Sequence, residues 1–280
     1  MKIINCNQII KAIRDLCINA CLYLPTDVQK ALELSKTTES SCLGQEILDL
    51  IIQNTRIAAT NQIPLCQDTG FAVFFIELGQ EVHISGGDLY SAINTGVSKG
   101  YQEGYLRKSI VKDPLRRKNT ENNTPAIIHT SIVPGDSLKI SFCPKGGGAE
   151  NMSKLAMLKP SDGWEGIKRF VIATVTEAEA NPCPPIIVGI GIGGTFEYCA
   201  LLAKKALLRQ IDDINDDDFY AKKEIELLQE INKLNIGPAG FGGTTTALSV
   251  KINSYPCHIA SLPVAINIQC HSSRHKEIIL

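Results

Sequence analysis

Three segments near the start of the chain repeat apolar residues at i, i+3, i+4 and i+7: QIIKAIRDLCINACLYL, DVQKALELSK and CLGQEILDLIIQNTRIAAT. That period gathers apolar side chains on one helix face, so residues 7 to 60 are predicted helical. The pattern changes at FAVFFIEL (71–78), where an apolar run predicts a strand. A helix is predicted from Asp88 to Tyr105, opened by the cap-like GGD. KDPLRRKNTENNT (112–124) is polar throughout and predicts a loop. AIIHTSIV and LKISFCP flank the turn residues PGD and predict a hairpin. A helix from about Gly163 to Ala180, a buried strand PPIIVGI and a helix TFEYCALLAKKALL follow in that order. An acidic loop, DDINDDD, leads into one more helix. The tail, TTALSVKINSYPCHIASLPVAINIQC, alternates in the β-branched manner of strands. No internal repeat or low-complexity linker interrupts the chain. The predicted class is mixed α/β (α+β-like), with a helical part at about 1–60 followed by mixed strands and helices in one compact unit, 1–280.

Composition changes this picture little. With 280 residues, 44% of them hydrophobic, the chain can bury a sizeable core as one large domain or two lobes. A net charge of −1 gives no bulk attraction to nucleic acid or to a membrane surface. The longest basic cluster, Arg116-Arg117-Lys118, lies in the polar loop and reads as solvated surface. The N-terminus lacks the unbroken apolar core of a signal peptide, and no segment has membrane-spanning length, so a soluble, cytoplasmic protein is expected. Ten cysteines without an export signal point to buried, metal-binding or catalytic thiols rather than disulfides. No CxxC pair occurs. Cys17 and Cys21, four apart on a helix, and Cys199 inside another, read as buried apolar residues.

Three cysteines have different surroundings. In PLCQDTG, Cys66-Gln67-Asp68-Thr69 put a thiol, an amide, an acid and a hydroxyl at the mouth of a strand. Cys183 is bracketed by prolines in NPCPP, and Cys270 ends an apolar strand before HSSRH. Each lies at the end of an element, but their separations match no compact metal motif. Two glycine motifs compete for attention. GIGIGG (189–194) satisfies GxGxxG, yet no second strand ending in an acid follows, so dinucleotide binding is a weak reading. Its glycines could instead let backbone amides approach a smaller anion. KGGGAEN (145–151) reads either as a flexible loop or as a backbone nest for a carboxylate or phosphate. His83 and His129 fall among strand residues and read as surface or satisfied core groups.

Taken together, PLCQDTG, GYLRKSIVKDPLRRKNT, PKGGGAENMSKLAMLKPSDG, NPCPPIIVGIGIGGTFEYCALLAKKALLR, GPAGFGGTTTALSVKI and HIASLPVAINIQCHSSRH resemble the α subunit of two-subunit, iron–sulfur class I fumarases and L-tartrate dehydratases. The resemblance runs from about residue 40 to the C-terminus. It implies that Cys66, Cys183 and Cys270 hold a [4Fe–4S] cluster with one iron left open as a Lewis acid. It implies proton transfer by Asp68 and His258, the latter reaching in from a second copy in a dimer. Gln67, Arg107 and the amides of Gly146, Gly147 and Gly148 are implied to hold substrate carboxylates. A separate β subunit is expected to carry the second catalytic domain. The expected reaction is reversible hydration of fumarate to (S)-malate, a step of the tricarboxylic acid cycle. The alternatives are dehydration of L-tartrate to oxaloacetate and, less favoured, nucleotide binding through GIGIGG.

Overall fold

The computed structural model describes residues 2–280. The first half of the chain forms β1 (Lys2–Asn5), α1 (Cys6–Leu22), α2 (Thr26–Thr38), α3 (Cys42–Asn61), β2 (Phe71–Gly79), β3 (Val82–Ser85), α4 (Leu89–Glu103), β4 (Ile127–Val133) and β5 (Leu138–Lys145). The second half forms α5 (Gly147–Glu150), β6 (Lys154–Leu158), α6 (Gly163–Ala178), β7 (Ile186–Gly194), α7 (Phe196–Ala206), α8 (Asp218–Asn232), β8 (Ala247–Cys257), β9 (Leu262–Gln269) and β10 (Lys276–Ile279). The class is mixed α/β, as the periodicities require. No helix among the described residues is long and apolar enough to cross a membrane. The chain divides into two compact units.

The first unit comprises the residues up to Pro25, Thr55–Gly147 and Arg274–Leu280. Its sheet has the order β10-β5-β2-β4. The predicted hairpin between β4 and β5 does not form: β2 lies between them, parallel to β4 and antiparallel to β5. The reason is in β2 itself, whose FAVFFI run is buried almost throughout and is served by a strand on each side. The PGD turn bonds to the end of β2 instead, with Gly79 N–H donating to Ser137 O (2.8 Å) and Glu81 N–H to Gly135 O (3.0 Å). Helix α1 starts at a capping box made by Asn5 and Gln8, the sequence signal for a helix N-terminus. It packs closely on α4, where a Cβ at Gly100 would lie 2.8 Å from the Cys17 Cβ. Ile9, Ile13, Phe74, Ile76, Tyr101, Ile140 and Phe142 form the core between helices and sheet.

The second unit comprises Thr26–Asn54 and Gly148–Ser273. Its sheet has the order β6-β9-β7-β8, with β7 parallel to β8 and antiparallel to β9. Alternation along β7 assigns its two faces. Val188 and Ile190 meet Ile167, Val171 and Val175 of α6 and Leu227 and Ile231 of α8. The opposite face presents Gly189 and Gly191 to α7, where a Cβ would collide with the carbonyl oxygens of Ala203 and Cys199. GIGIGG is therefore a buried strand whose glycines admit a helix at short range. It is neither a phosphate loop nor an anion cradle, and the nucleotide reading loses its motif.

Glu39 is a buried carboxylate with a structural task. Burial would push its pKa up, but the N–H groups of Ser41, Thr244 and Thr245 and a threonine hydroxyl hold it down at about 2. These bonds fasten the GPAGFGGTTT segment. A folded-state pKa below the ordinary 4.5 contributes stability that is complete above that value and is lost as pH falls toward 2. Glu39→Gln is expected to lower stability at neutral pH by on the order of 3 kcal/mol. Thermal unfolding of both proteins from pH 7 to pH 3 checks this: the gap between the melting curves narrows only below about pH 4.5.

Candidate active site

In the first unit, the PLCQDTG corner leads from α3 into β2. Leu65 N–H donates to the Cys21 carbonyl at 2.8 Å, which ties the corner to the end of α1. Asp68 folds back on its own turn. One carboxylate oxygen accepts from Gly70 N–H (3.0 Å) and the other from Gly147 N–H (2.7 Å). The glycine run is thus ordered, and its central amide is engaged by Asp68. Gly70 has φ +74°, and a Cβ there would stand 2.7 Å from the Lys145 nitrogen, so only glycine passes. Gln67 and Arg107 are exposed. The Cys66 Sγ lies 3.5 Å from the Gln67 Oε1.

Beneath this corner lie buried donors that sequence reasoning missed. Tyr101 Oη donates to the carbonyls of Thr69 (2.8 Å) and Gly70 (3.1 Å). Asn123 Nδ2 also donates to Gly70 O (3.2 Å), and Arg274 Nη2 donates to Asp68 O (2.9 Å). Thr69 Oγ1 in turn donates to the Arg107 carbonyl (2.9 Å) and so places that arginine's backbone. The Cys21 thiol lies in the same electrostatic neighbourhood. Burial pushes its pKa up to about 11, with Arg274 pulling it down and Cys66 and Asp68 adding to the rise. HSSRH and KNTENNT carried the only sequence signal for Arg274 and Asn123, polar clusters with no assigned task, and Tyr101 lay within the predicted helix without one.

In the second unit, Cys183 and Cys270 share one end of the sheet. Register pairs Ile187 with Gln269, so the residue stretch before β7 and the one after β9 are neighbours. The His271 backbone N–H and its Nδ1 both meet the Cys183 carbonyl, at 3.3 and 2.9 Å. Cys183 has φ +55°, a left-handed conformation rare for a residue with a Cβ and one that recurs where a side chain is aimed for function. The GPAGFGGTTT segment buttresses it: Ala239 N–H donates to Pro184 O at 2.8 Å. A Cβ at Gly240 would collide with the Ala180 Cβ, three residues before Cys183. Gly148 lies here too, where a Cβ would come 3.3 Å from the Asn181 carbonyl oxygen.

His258 is elsewhere. It follows β8, whose Cys257 pairs with Gly194 at the opposite end of β7. Eight steps along that strand, at ~3.3 Å each, separate it by about 26 Å from the end that carries Cys183 and Cys270. Its loop is exposed, with Ile259 at 91%, and borders a cavity of about 360 Å³ lined by Trp164, Phe219 and Leu262. Within this unit His258 and the two cysteines do not meet. His83 is exposed on β3, and His129 packs against Phe75, as expected of histidines outside a site.

The donor chemistry suits an iron–sulfur cluster. None of the ten cysteines is in a disulfide. Cys6, Cys17, Cys21, Cys143 and Cys199 are buried; Cys42, Cys183 and Cys257 are exposed, and Cys66 and Cys270 are half-buried at element ends. Among the described residues no three His, Cys, Asp or Glu side chains are gathered as a single metal ion needs. A cubane asks for something different, since each thiolate ligates its own iron.

The profile of a family described as fumarate hydratase (Fumerase) matches residues 10–279. The chain belongs to that family of hydro-lyases. Within it, the chain is 47% identical over 261 residues, 91% of each chain, to a Methanocaldococcus jannaschii protein provisionally named L(+)-tartrate dehydratase subunit alpha. It is 31% identical over 260 residues to the L(+)-tartrate dehydratase subunit alpha of Escherichia coli (strain K12), covering 92% of this chain and 86% of the relative.

Proposed function

We propose that this chain is the α subunit of an L-tartrate dehydratase, which removes water from L-tartrate to give oxaloacetate, and that it works with a β subunit. The observation that carries this is the 47% identity, across 91% of both chains, to a relative bearing that name. The same finding moves the preferred substrate away from fumarate and the pathway away from the tricarboxylic acid cycle. Fumarate hydration is the second reading, favoured by the family profile's own description.

Cys66, Cys183 and Cys270 would hold a [4Fe–4S] cluster, which supplies a Lewis acid for the departing hydroxyl. The remaining work belongs to this chain and its partners. Asp68, two residues from Cys66 and fixed by two amides, takes the proton from the carbon beside a carboxylate. Arg107 pairs with a substrate carboxylate through its two-pronged guanidinium, and Gln67 donates an amide proton beside it. Gly146 and Gly148 extend the cradle on either side of the amide that Asp68 occupies. Positive charge and N–H groups there oppose the negative charge that builds as the proton leaves. His258, about 26 Å along the sheet from the cysteine end, would serve the site of a second copy. Two copies of the chain per assembly follow from that role.

The test is the α subunit co-expressed with its β subunit, loaded anaerobically, and assayed on L-tartrate and on fumarate. The proposal expects kcat/KM for L-tartrate to exceed that for fumarate by at least roughly tenfold, about 1.4 kcal/mol of transition-state preference. A preference of that size for fumarate would move the assignment to the second reading.

A further inference from the structure

Arg274 stands out among the residues that the proposed mechanism leaves unused. It is 2% exposed and ranks with the largest fully buried side chains of the protein. Taking a guanidinium out of water is costly, so a buried one is retained where its donors have a definite task. Here one donor, Nη2, reaches the main-chain carbonyl of Asp68 at 2.9 Å. The next two carbonyls of the corner are held in the same way, by Tyr101 and Asn123. Three buried donors from separate parts of the first unit therefore fix three consecutive peptide groups. The Asp68 carboxylate completes the arrangement from above through Gly70 and Gly147.

The segment that carries Arg274 is anchored independently. Two residues on, β10 pairs antiparallel with β5, Lys276 opposite Phe142 through Ile279 opposite Lys139. The final residue is doubly bonded to Leu138, N–H to O in each direction at 3.1 and 2.9 Å. The tail thus docks on the strand whose end leads, through Lys145, to the glycine run that Asp68 grips.

We propose that Arg274 is the positioning residue of Asp68, holding its peptide from beneath so that the carboxylate keeps the orientation proton transfer needs. The docked C-terminal strand is the brace that holds Arg274 in place. This role rests on the hydro-lyase reading for its catalytic consequence, but not for its structural one.

The experiment uses the loaded αβ complex with Arg274→Gln and Arg274→Lys. Peptide-level hydrogen exchange is read over 64–70 and 146–150, alongside kcat, KM and iron content. Arg274→Gln is expected to speed exchange in those two stretches while β2 and β5 exchange as in wild type. It is expected to lower kcat by roughly 10–100-fold, the range seen when a partner behind a functional group is removed. KM stays within a factor of about three, because ground-state binding is not what the residue supplies. Arg274→Lys keeps one donor and recovers part of kcat; if the glutamine variant does not fold, the lysine variant carries the test, with intermediate exchange and kcat. Wild-type kcat with unchanged loop exchange overturns the proposal. So does faster exchange spread evenly over the unit with iron content falling in step, which marks a merely structural residue. A wild-type complex inactive on both substrates, with loop exchange still accelerated in the variant, would sink the hydro-lyase reading and uphold the positioning role.

Discussion

Asp68→Asn is expected to lower kcat of the assembled enzyme by roughly 10²–10⁴, the contribution of a general acid or base, with iron and sulfide content unchanged. The substitution is nearly isosteric, but it is not structurally silent. Each carboxylate oxygen accepts one amide, from Gly70 and from Gly147. An asparagine has a single acceptor, so its NH₂ would face one of those N–H groups. Losing one such bond to a charged group costs about 1.5–3 kcal/mol, up to roughly 150-fold if all of it fell on the rate, so only a drop beyond that separates the two roles. A drop confined to within roughly 150-fold would leave Asp68 as the clasp of the glycine run and send the search for the base to another group. A larger drop at full iron loading identifies the proton-moving residue. Steady-state kinetics with iron analysis on the same samples is the measurement.

Cys66→Ser, Cys183→Ser and Cys270→Ser are each expected to abolish both activity and cluster. Iron and acid-labile sulfide, about four of each per chain after anaerobic reconstitution of wild type, should fall to near zero in all three. Exposure does not single these residues out, because Cys42 and Cys257 are exposed as well. They are the controls: Cys42→Ser and Cys257→Ser should keep full iron. Loss of iron in a control, or retention in one of the three, would redraw the ligand set. A serine cannot substitute silently, since an alkoxide is a poor ligand where a soft thiolate is wanted.

Much of this molecule was legible in its sequence, for reasons that differ by element. Helices α1, α3, α4, α6 and α7 announce themselves by a 3.6-residue period, and their ends fall where the caps Asn5 and Asp88 place them. The strands β2, β8 and β9 follow from apolar and β-branched runs. Pairing was less legible. PGD between two strand-like segments is a local signal, whereas the insertion of β2 between them depends on which run is most apolar across the whole unit. Short edge strands such as β1, β3 and β10 carry four residues each, too few for a period to show. For the site, the corner residues were legible because unusual side chains sit together in sequence. Tyr101, Asn123 and Arg274 were not, because their common task is defined only where a helix, a loop and the chain's end converge on three carbonyls.

The glycines of β7 have a further consequence, for the route by which the chain folds. Gly-Ile-Gly-Ile-Gly-Gly has little intrinsic preference for extended structure, and each glycine loses more backbone freedom on ordering than a residue with a side chain. The strand is central nonetheless, bonded to β8 and β9 on its two sides. It is a strand by position rather than by propensity. Nucleation in this unit is therefore expected at its neighbours and at the apolar faces of α6 (Ile167, Val171, Val175) and α8 (Leu227, Ile231), with β7 condensing into the slot they form. Because α7 seats directly on that bare backbone, pulse-labelled amide exchange is expected to show strand and helix gaining protection together and late, with the Cys183 turn that precedes them following the same time course.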